Sequence, residues 1–112
     1  FTDHEIELIA QIARYHRKSE PKLQHAAFAA LSEADQHTVR MLSAILRIAI
    51  GLDRTHDGRT TTASVTQKNT SLQITLHSEK NADLDLNLYA TQQRTALLAD
   101  VFQCTVTVAI AD

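Results

Sequence analysis

Residues 39–56 read VRMLSAILRIAIGLDRTH, and this stretch decides the fold of the first half of the chain. Its apolar residues recur at steps of three and four, which is the spacing of one face of a helix. They are Val39, Leu42, Ile45, Leu46, Ala49 and Leu52. We therefore predict a long helix whose apolar stripe packs inward and which ends at the polar residues 55–58.

Two shorter helices are predicted before it. Residues 2–5 (TDHE) have the spacing of a capping box, so a helix begins there, and Pro21 disfavours helical backbone at the residue that precedes it. A second helix is predicted over residues 22–31, and residues 32–35 (SEAD) then supply an N-cap for the long helix. The first half of the chain is therefore predicted to be all helical.

From Thr60 onward the apolar spacing changes to alternation, which is typical of strands. We predict strands over residues 63–67, 72–76, 84–88 and 105–109, a helix over 91–103, and turns at 68–70 and 79–82. The second half then reads β-β-β-α-β. The fold class is α+β, with a helical lobe over residues 1–57 followed by a small sheet lobe over residues 58–112.

The length and charge of the chain bound its function. With 112 residues it can form one compact domain or two small packed lobes, but it is short for a complete enzyme with a deep cleft. A net charge of −2 predicts no nucleic-acid partner, and no apolar stretch approaches the roughly 20 residues of a membrane span. Because the chain starts at Phe1 and enters a helix at once, we expect a piece of a longer protein.

Cysteine usage indicates the compartment. Cys104 is the single cysteine, so an internal disulfide is excluded and a reducing cytoplasm is expected. The histidines show no tight pairing of the kind that zinc sites use, and the two glycines form no phosphate-binding loop. The sequence therefore predicts neither a metal site nor a nucleophile with its base.

A row of arginines is the first candidate for a binding site. Arg40, Arg47 and Arg54 are seven residues apart, so they lie on one helix face and drift by only about 20° per step. Small residues lie between them, which would leave the row open to a ligand; they are Ser43, Ala44 and Gly51. Guanidinium forks suit a chain of phosphates. A solvated helix face is the alternative interpretation.

A second basic cluster, His16-Arg17-Lys18, follows the first helix. Cations are favoured at a helix C-terminus by the dipole and the last carbonyls, and capping alone explains the cluster. If the first and third helices lie side by side, the cluster instead joins the arginine row.

Two stretches carry a family resemblance. Residues 12–18 (IARYHRK), followed by Pro21, and residues 42–56 (LSAILRIAIGLDRTH) resemble the C-terminal region of the Ppx/GppA exopolyphosphatases. In that family an ARYHRK segment precedes a helix that reads like LLRLADGLDRSH. The resemblance covers residues 1–57 well, whereas the tail agrees only in the order of its elements.

The resemblance implies an HD-like helical lobe within a larger hydrolase. The parent's N-terminal lobes would have an actin-like ATPase fold, bind polyphosphate or pppGpp with Mg²⁺ and carry the catalytic carboxylate. The helical lobe would hold the distal polyphosphate in a basic channel, often across a dimer. The residues that the resemblance and the helix-face argument select for this contact are His16, Arg17, Lys18, Arg47, Arg54 and His56.

The sequence departs from a working HD metal site at two positions. His16 is followed by Arg17 rather than Asp, and Ile50 stands where relatives read an Asp. Both differences remove a carboxylate ligand, so we predict no catalytic residue, no metal and no turnover in this chain. Two alternatives stay open: a dimerisation domain without a ligand, in which the arginines pair with carboxylates of a partner chain, and a surviving HD-type phosphohydrolase.

Overall fold

The first half of the chain is all helical, as the sequence predicts. The computed structural model describes residues 1–17, 19–79 and 82–112, and its first three helices are α1 (Asp3–Arg14), α2 (Ala26–Ala29) and α3 (Glu33–Leu52). The predicted capping box begins α1: the Glu5 N–H donates to Thr2 Oγ1 at 3.1 Å, and the Thr2 N–H donates to Glu5 Oε1 at 2.9 Å. Ser32 caps α3 by accepting from the Asp35 N–H at 3.1 Å.

The second half forms a small sheet with two helices. Its elements are β1 (Thr62–Lys68), β2 (Ser71–His77), α4 (Asp85–Gln92), α5 (Ala96–Phe102) and β3 (Thr105–Ile110). In the described part of the chain the sheet order is β1-β2-β3: β1 and β2 form an antiparallel hairpin, and β3 lies parallel to β2 after the α4–α5 crossover. The α+β class, with a helical lobe followed by a sheet lobe, is confirmed.

Two apolar clusters hold the molecule together, and α3 contributes to both. The smaller one joins Tyr15, Phe28 and Val39 within the helical half. The larger one joins the middle of α3 to the sheet and to the helices that follow it; its buried members are Ala44, Ile48, Ile74, Leu76, Leu84, Leu97 and Leu98. The core of the sheet half is therefore shared with α3.

The small residues of α3 do not leave a face open to a ligand, contrary to the expectation from the arginine row. Ser43 and Ala44 are buried, and Gly51 is buried against α4. A Cβ at Gly51 would lie 2.7 Å from Thr91 Cα and 2.9 Å from Thr91 N. These residues are small because neighbouring elements pack closely on α3.

The predicted strand over residues 84–88 is wrong. Leu84 is the N-cap of α4, and residues 85–88 are helical, so the order of the second half is β-β-α-α-β. The helix predicted over residues 91–103 is divided, since α4 ends at Gln92 and α5 covers Ala96–Phe102. The buried positions Leu84, Asn87 and Ala90 have helical spacing, but Asn87 is polar and breaks the apolar pattern.

Other boundaries differ less. The helix predicted over residues 22–31 is reduced to the four residues of α2. Asn69, at a φ of 55°, makes the predicted turn between β1 and β2. The turn predicted at residues 79–82 falls partly on Lys80 and Asn81, which lie outside the described residues. Within the described ranges no helix combines the length and apolar character of a membrane span.

Candidate functional site

A pocket of about 550 Å³ lies where the segment after α1, the end of α3 and the end of α4 meet. Five of its six lining residues carry basic side chains or imidazoles; the lining is His16, Arg17, Ile50, Arg54, His56 and Arg94. We call this set the basic pocket. It contains four of the six residues that the sequence selects, and these four come from segments about 40 residues apart in the chain.

The segment after α1 contributes His16 and Arg17 to the basic pocket. The His16 Nδ1 lies at hydrogen-bond distance from the Ala13 carbonyl, and because a carbonyl only accepts, Nδ1 carries the proton. Nε2 is therefore the ring nitrogen left for a ligand. Tyr15, one residue earlier, is fully buried and its hydroxyl is 2.8 Å from His25 Nδ1, so a packed side chain anchors the segment.

Arg47 lies beneath this segment rather than in the pocket lining. Arg47 is buried, with only 8% of its surface exposed. Its Nε donates to the Tyr15 carbonyl at 2.9 Å, and its Nη2 donates to the Ser19 carbonyl. Burial lowers the pKa of the guanidinium from its ordinary value, while the Glu20 carboxylate opposes that shift. Arg47 thus bridges the two ends of the segment that carries His16 and Arg17.

Arg40 has a different neighbour. It lies in the first half of α3, away from the pocket at the end of that helix, and forms an ion pair with Asp100 of α5. The three arginines at the heptad spacing therefore have three different surroundings: Arg40 joins α3 to α5, Arg47 holds the segment after α1, and Arg54, beyond the end of α3, lines the basic pocket.

The chain leaves α3 through a tight turn that contributes Arg54 and His56. His56 has a φ of 56°, in the left-handed region, and its N–H donates to the Asp53 carbonyl at 2.9 Å. Backbone in this region costs a non-glycine residue about 1 kcal/mol or more, and such strain is frequent at functional sites. The turn thus brings the imidazole to the rim beside Arg54.

The loop that follows is fixed by Asp57. Its carboxylate accepts from Arg59 Nε at 2.8 Å and from the Thr55 hydroxyl at 2.7 Å, and these hydrogen bonds lower the pKa of Asp57 from its ordinary value. Arg59 also donates to the Asp83 carbonyl at 3.2 Å, which ties the loop to the segment before α4. These hydrogen bonds, made by residues outside the pocket lining, therefore stabilise the loop that follows Arg54 and His56.

Arg94 is the pocket residue that sequence reasoning missed. It follows α4, where its Nη1 donates to the Ala90 carbonyl at 2.7 Å. Its one sequence signal was a basic residue just after a helix, and the error in the α4 prediction hid that signal. Its place beside Arg17 and Arg54 depends on α4 packing against α3 at Gly51, a long-range contact.

The charge around the basic pocket is unbalanced. Among residues 1–17, 19–79 and 82–112, no carboxylate lies within ion-pair distance of Arg17, Arg54 or Arg94. The carboxylate of Asp53 is 3.7 Å from His56 Nδ1, and both side chains are mostly exposed. Three guanidinium groups at one concave surface create a local excess of positive charge in a chain whose net charge is −2.

Two further sequence predictions concern this region. Lys18 lies outside the described residues, so its predicted contact stays a prediction. Ile50 lines the pocket with an apolar side chain, at the position where the sequence analysis expects relatives to have an Asp. In the described part of the chain no three His, Cys, Asp or Glu residues are grouped as metal ligands. What the pocket offers chemically is hydrogen-bond donation and positive charge.

The fold and the pocket together define an α+β domain with a basic pocket at the end of its central helix. The chain belongs to the Ppx/GppA phosphatase family: the family described as "Ppx/GppA phosphatase, domain III" matches residues 1–96. The match extends past the motifs quoted above, through the sheet hairpin and α4. No curated protein matches the chain.

Proposed function

We propose that this chain is a non-catalytic domain that holds polyphosphate, or pppGpp, on the basic pocket. The observation that carries the proposal is the convergence of Arg17, Arg54 and Arg94 on one concave surface without a described carboxylate partner. Guanidinium groups donate in a planar fork that matches phosphate oxygens. His16 and His56 flank the arginines, and Lys18 stays a contact predicted from the sequence.

Arg47 is assigned a positioning role in this proposal. Two of its nitrogens already donate to backbone carbonyls, so it acts on the ligand through the segment that carries His16 and Arg17. The arginines that contact phosphate are then Arg17, Arg54 and Arg94.

The mechanism is electrostatic tethering. Each phosphate that the domain engages releases condensed counterions, so affinity falls with salt, as it does for nucleic-acid backbones. In a parent exopolyphosphatase of the cytoplasm, the actin-like N-terminal lobes would carry Mg²⁺ and hydrolyse the terminal phosphoanhydride. This domain would keep the polymer attached between cleavage events, which favours processive hydrolysis.

The test is a titration of the chain with long-chain polyphosphate at two salt concentrations. If about three phosphates are engaged, a slope of about −0.7 per phosphate gives roughly twentyfold weaker binding on a fourfold increase in salt. We expect Arg54→Ala and Arg94→Ala each to weaken binding and to reduce that slope by about 0.7. Isothermal titration calorimetry measures both quantities.

Lys68→Ala is the matched control for charge. Lys68 is the last residue of β1, a strand about 20 Å long, and lies at the end of that strand that is remote from the pocket. Replacing Lys68 therefore removes one positive charge without changing the pocket lining. Arg47→Lys keeps the charge but not the fork; we expect it to weaken binding and to shift the NMR signals of the His16 ring. Equal affinity for the native chain and both pocket variants would contradict the proposal.

A second candidate function is assembly without a ligand. The observation in its favour is the set of exposed apolar side chains beside one edge of the sheet, among them Val65 of β1 and Phe102 of α5, which are 59% and 48% exposed. Self-association that is indifferent to polyphosphate would support it. Both functions can reside in one domain, because the basic pocket and this edge involve different residues.

A further inference from the structure

The two imidazoles of the basic pocket are held in different ways. His16 is half-buried, and its Nδ1 lies at hydrogen-bond distance from the Ala13 carbonyl. His56 is mostly exposed, and the Asp53 carboxylate is 3.7 Å from its Nδ1, which is longer than a hydrogen bond. The backbone therefore fixes the proton of the first ring, whereas no described hydrogen bond fixes that of the second.

The Ala13 carbonyl is available to His16 because α1 ends at Arg14. The last four carbonyls of a helix have no N–H partner within the helix, and a side chain that donates to one of them caps the helix. A carbonyl accepts and cannot donate, so the His16 ring keeps a proton on Nδ1 as long as this contact is made. In the neutral form of His16, Nε2 then carries a lone pair and no proton.

A lone pair on Nε2 does not suit a phosphate ligand. The internal phosphates of a polyphosphate chain are ionised, so their oxygens accept hydrogen bonds and do not donate them. Neutral His16 therefore has no donor for them, whereas its imidazolium form carries an N–H on both ring nitrogens and donates through Nε2. His56 differs, because its neutral ring can carry its proton on either nitrogen.

The charges around His16 decide how a bound polyanion acts on its ring. The cationic and imidazole groups of the surrounding elements are Arg14, Arg17, Arg47, Arg54, His56 and Arg94. Of the nearby carboxylates, Glu20 acts on Arg47, and Asp53 lies beside His56. Across residues 1–17, 19–79 and 82–112, no carboxylate is within ion-pair distance of His16. Phosphate oxygens would be the first anionic partner of this ring, so a bound polyanion favours its protonated form.

We propose that His16 contacts phosphate as an imidazolium, so that the binding of polyphosphate to the basic pocket is coupled to the uptake of one proton by His16. The complex favours the protonated ring, so affinity is highest at low pH and falls as the pH rises through the range in which imidazoles lose their charge, about pH 5 to 8. The domain would hold the polymer more tightly on acidification. This inference rests on the proposed function and adds a regulation of the same pocket.

The first test measures affinity against pH. Calorimetric titration with long-chain polyphosphate at constant ionic strength is expected to give about five- to tenfold tighter binding at about pH 6 than at about pH 8. A long chain is used because its terminal phosphates, which also titrate near neutral pH, are then a small fraction of its charge. Repeating the titration in two buffers of different ionisation enthalpy counts the protons, and we expect net uptake.

Three substitutions assign the proton to His16. His16→Gln supplies an uncharged N–H donor, so we expect proton uptake and the dependence on pH to be lost while binding at about pH 8 is retained. His56→Gln is the matched control within the basic pocket, and it should leave proton uptake in place. His37→Gln removes an exposed imidazole of α3 outside the pocket lining, and it should change neither affinity nor proton uptake.

Nitrogen-15 NMR of the imidazole rings observes the same change in the native chain, so the inference stays testable if circular dichroism shows that His16→Gln does not fold. In the free chain at about pH 8, His16 should carry its proton on Nδ1 and none on Nε2. On addition of polyphosphate, both nitrogens of His16 should give imidazolium signals.

Three results would overturn this inference and leave the proposed function intact. They are binding of equal affinity at both pH values, binding without proton uptake, and a His16 ring that stays neutral in the complex. Proton uptake that survives His16→Gln and is lost in His56→Gln would also overturn it, because the proton would then belong to His56. Absence of polyphosphate binding at either pH would overturn the proposed function and this inference together.

Discussion

At the scale of single residues, the arginines show how one spacing can serve several purposes. The heptad interval predicts that Arg40, Arg47 and Arg54 share one helix face, but Arg54 lies beyond Leu52, where α3 ends. It could not show that Arg47 is buried, because its partners are carbonyls of a segment that is distant in sequence and that reaches α3 through tertiary packing. A buried guanidinium is stable when its donors are satisfied, as two of them are here.

His56 offers a prediction in which stability and binding change in opposite directions. Glycine adopts a φ of 56° without the steric cost that a Cβ imposes, so His56→Gly should leave the free energy of unfolding unchanged or raise it by about 1 kcal/mol. The same change removes an imidazole from the basic pocket and should weaken polyphosphate binding. Urea denaturation and calorimetric titration measure the two effects.

Asn69→Gly is the matched control for His56→Gly. Asn69 has a φ of 55° in the hairpin turn, which is nearly the same backbone geometry, but it lies outside the basic pocket. This control should leave polyphosphate affinity unchanged. If both variants weaken binding equally, the effect of His56→Gly comes from the change in the backbone and not from loss of the imidazole. That result would contradict a contact between His56 and the ligand.

At the scale of elements, α3 and α4 approach closely at Gly51, where a substitution can test the contact. Gly51→Ala improves helix propensity by about 1 kcal/mol, but the new Cβ would lie 2.7 Å from Thr91 Cα. Because backbone atoms cannot turn aside, the helices must separate, and we expect a net loss of about 1–3 kcal/mol in the free energy of unfolding.

The controls for Gly51→Ala separate propensity from packing. Ala49→Gly, at an exposed position of the same helix, measures propensity alone. Of the contacts that the new Cβ would make with Thr91, Thr91→Ala removes only the one to Oγ1 at 2.9 Å, and it also removes the Oγ1 hydrogen bond to the Asn87 carbonyl. The double variant Gly51→Ala with Thr91→Ala should therefore remain destabilised relative to Thr91→Ala alone. Rescue by that double variant would show that the side chain, and not the helix backbone, limits the approach.

The same helix pair explains the largest error of the sequence prediction. Leu84, Leu86 and Leu88 alternate like a strand, yet Leu86 is 50% exposed while Asn87 is buried. The Asn87 amide donates to the Leu52 carbonyl at 2.8 Å and to Thr60 Oγ1 at 3.2 Å, so it is fixed by partners distant in sequence. Polar residues at buried positions conceal a helical period, and only the folded partner reveals it. Elements with apolar cores, such as α3 and β2, were predictable.

At the scale of the whole molecule, α3 unites what the sequence divides into residues 1–57 and 58–112. Val39 belongs to the smaller cluster, whereas Ala44 and Ile48 belong to the larger one. A rigid helix that lies in both clusters couples their stability. The basic pocket has the same origin, since its lining comes from both halves of the chain.

We therefore expect the chain to unfold in a single cooperative transition. Far-ultraviolet circular dichroism reports all helices, and near-ultraviolet dichroism in a Tyr89→Phe background reports Tyr15 in the smaller cluster. The two melting curves should coincide. Val39→Ala and Leu76→Ala, one from each cluster, should each lower both midpoints together, with a loss of about 2–4 kcal/mol for the leucine. Two separate transitions would instead support two independent lobes.

The bridge made by Arg47 has a consequence for the order of folding events. Its two carbonyl partners are 32 and 28 residues away in the sequence, so no local fragment can contain a preformed binding surface. A polyanion that binds only when the Arg47 bridge is formed would stabilise the folded chain by mass action. The free energy of unfolding would rise by about 2.7 kcal/mol at a ligand concentration of about a hundred times the dissociation constant. If the domain holds a polyanion as proposed, retention of that ligand would report that the Arg47 bridge has formed.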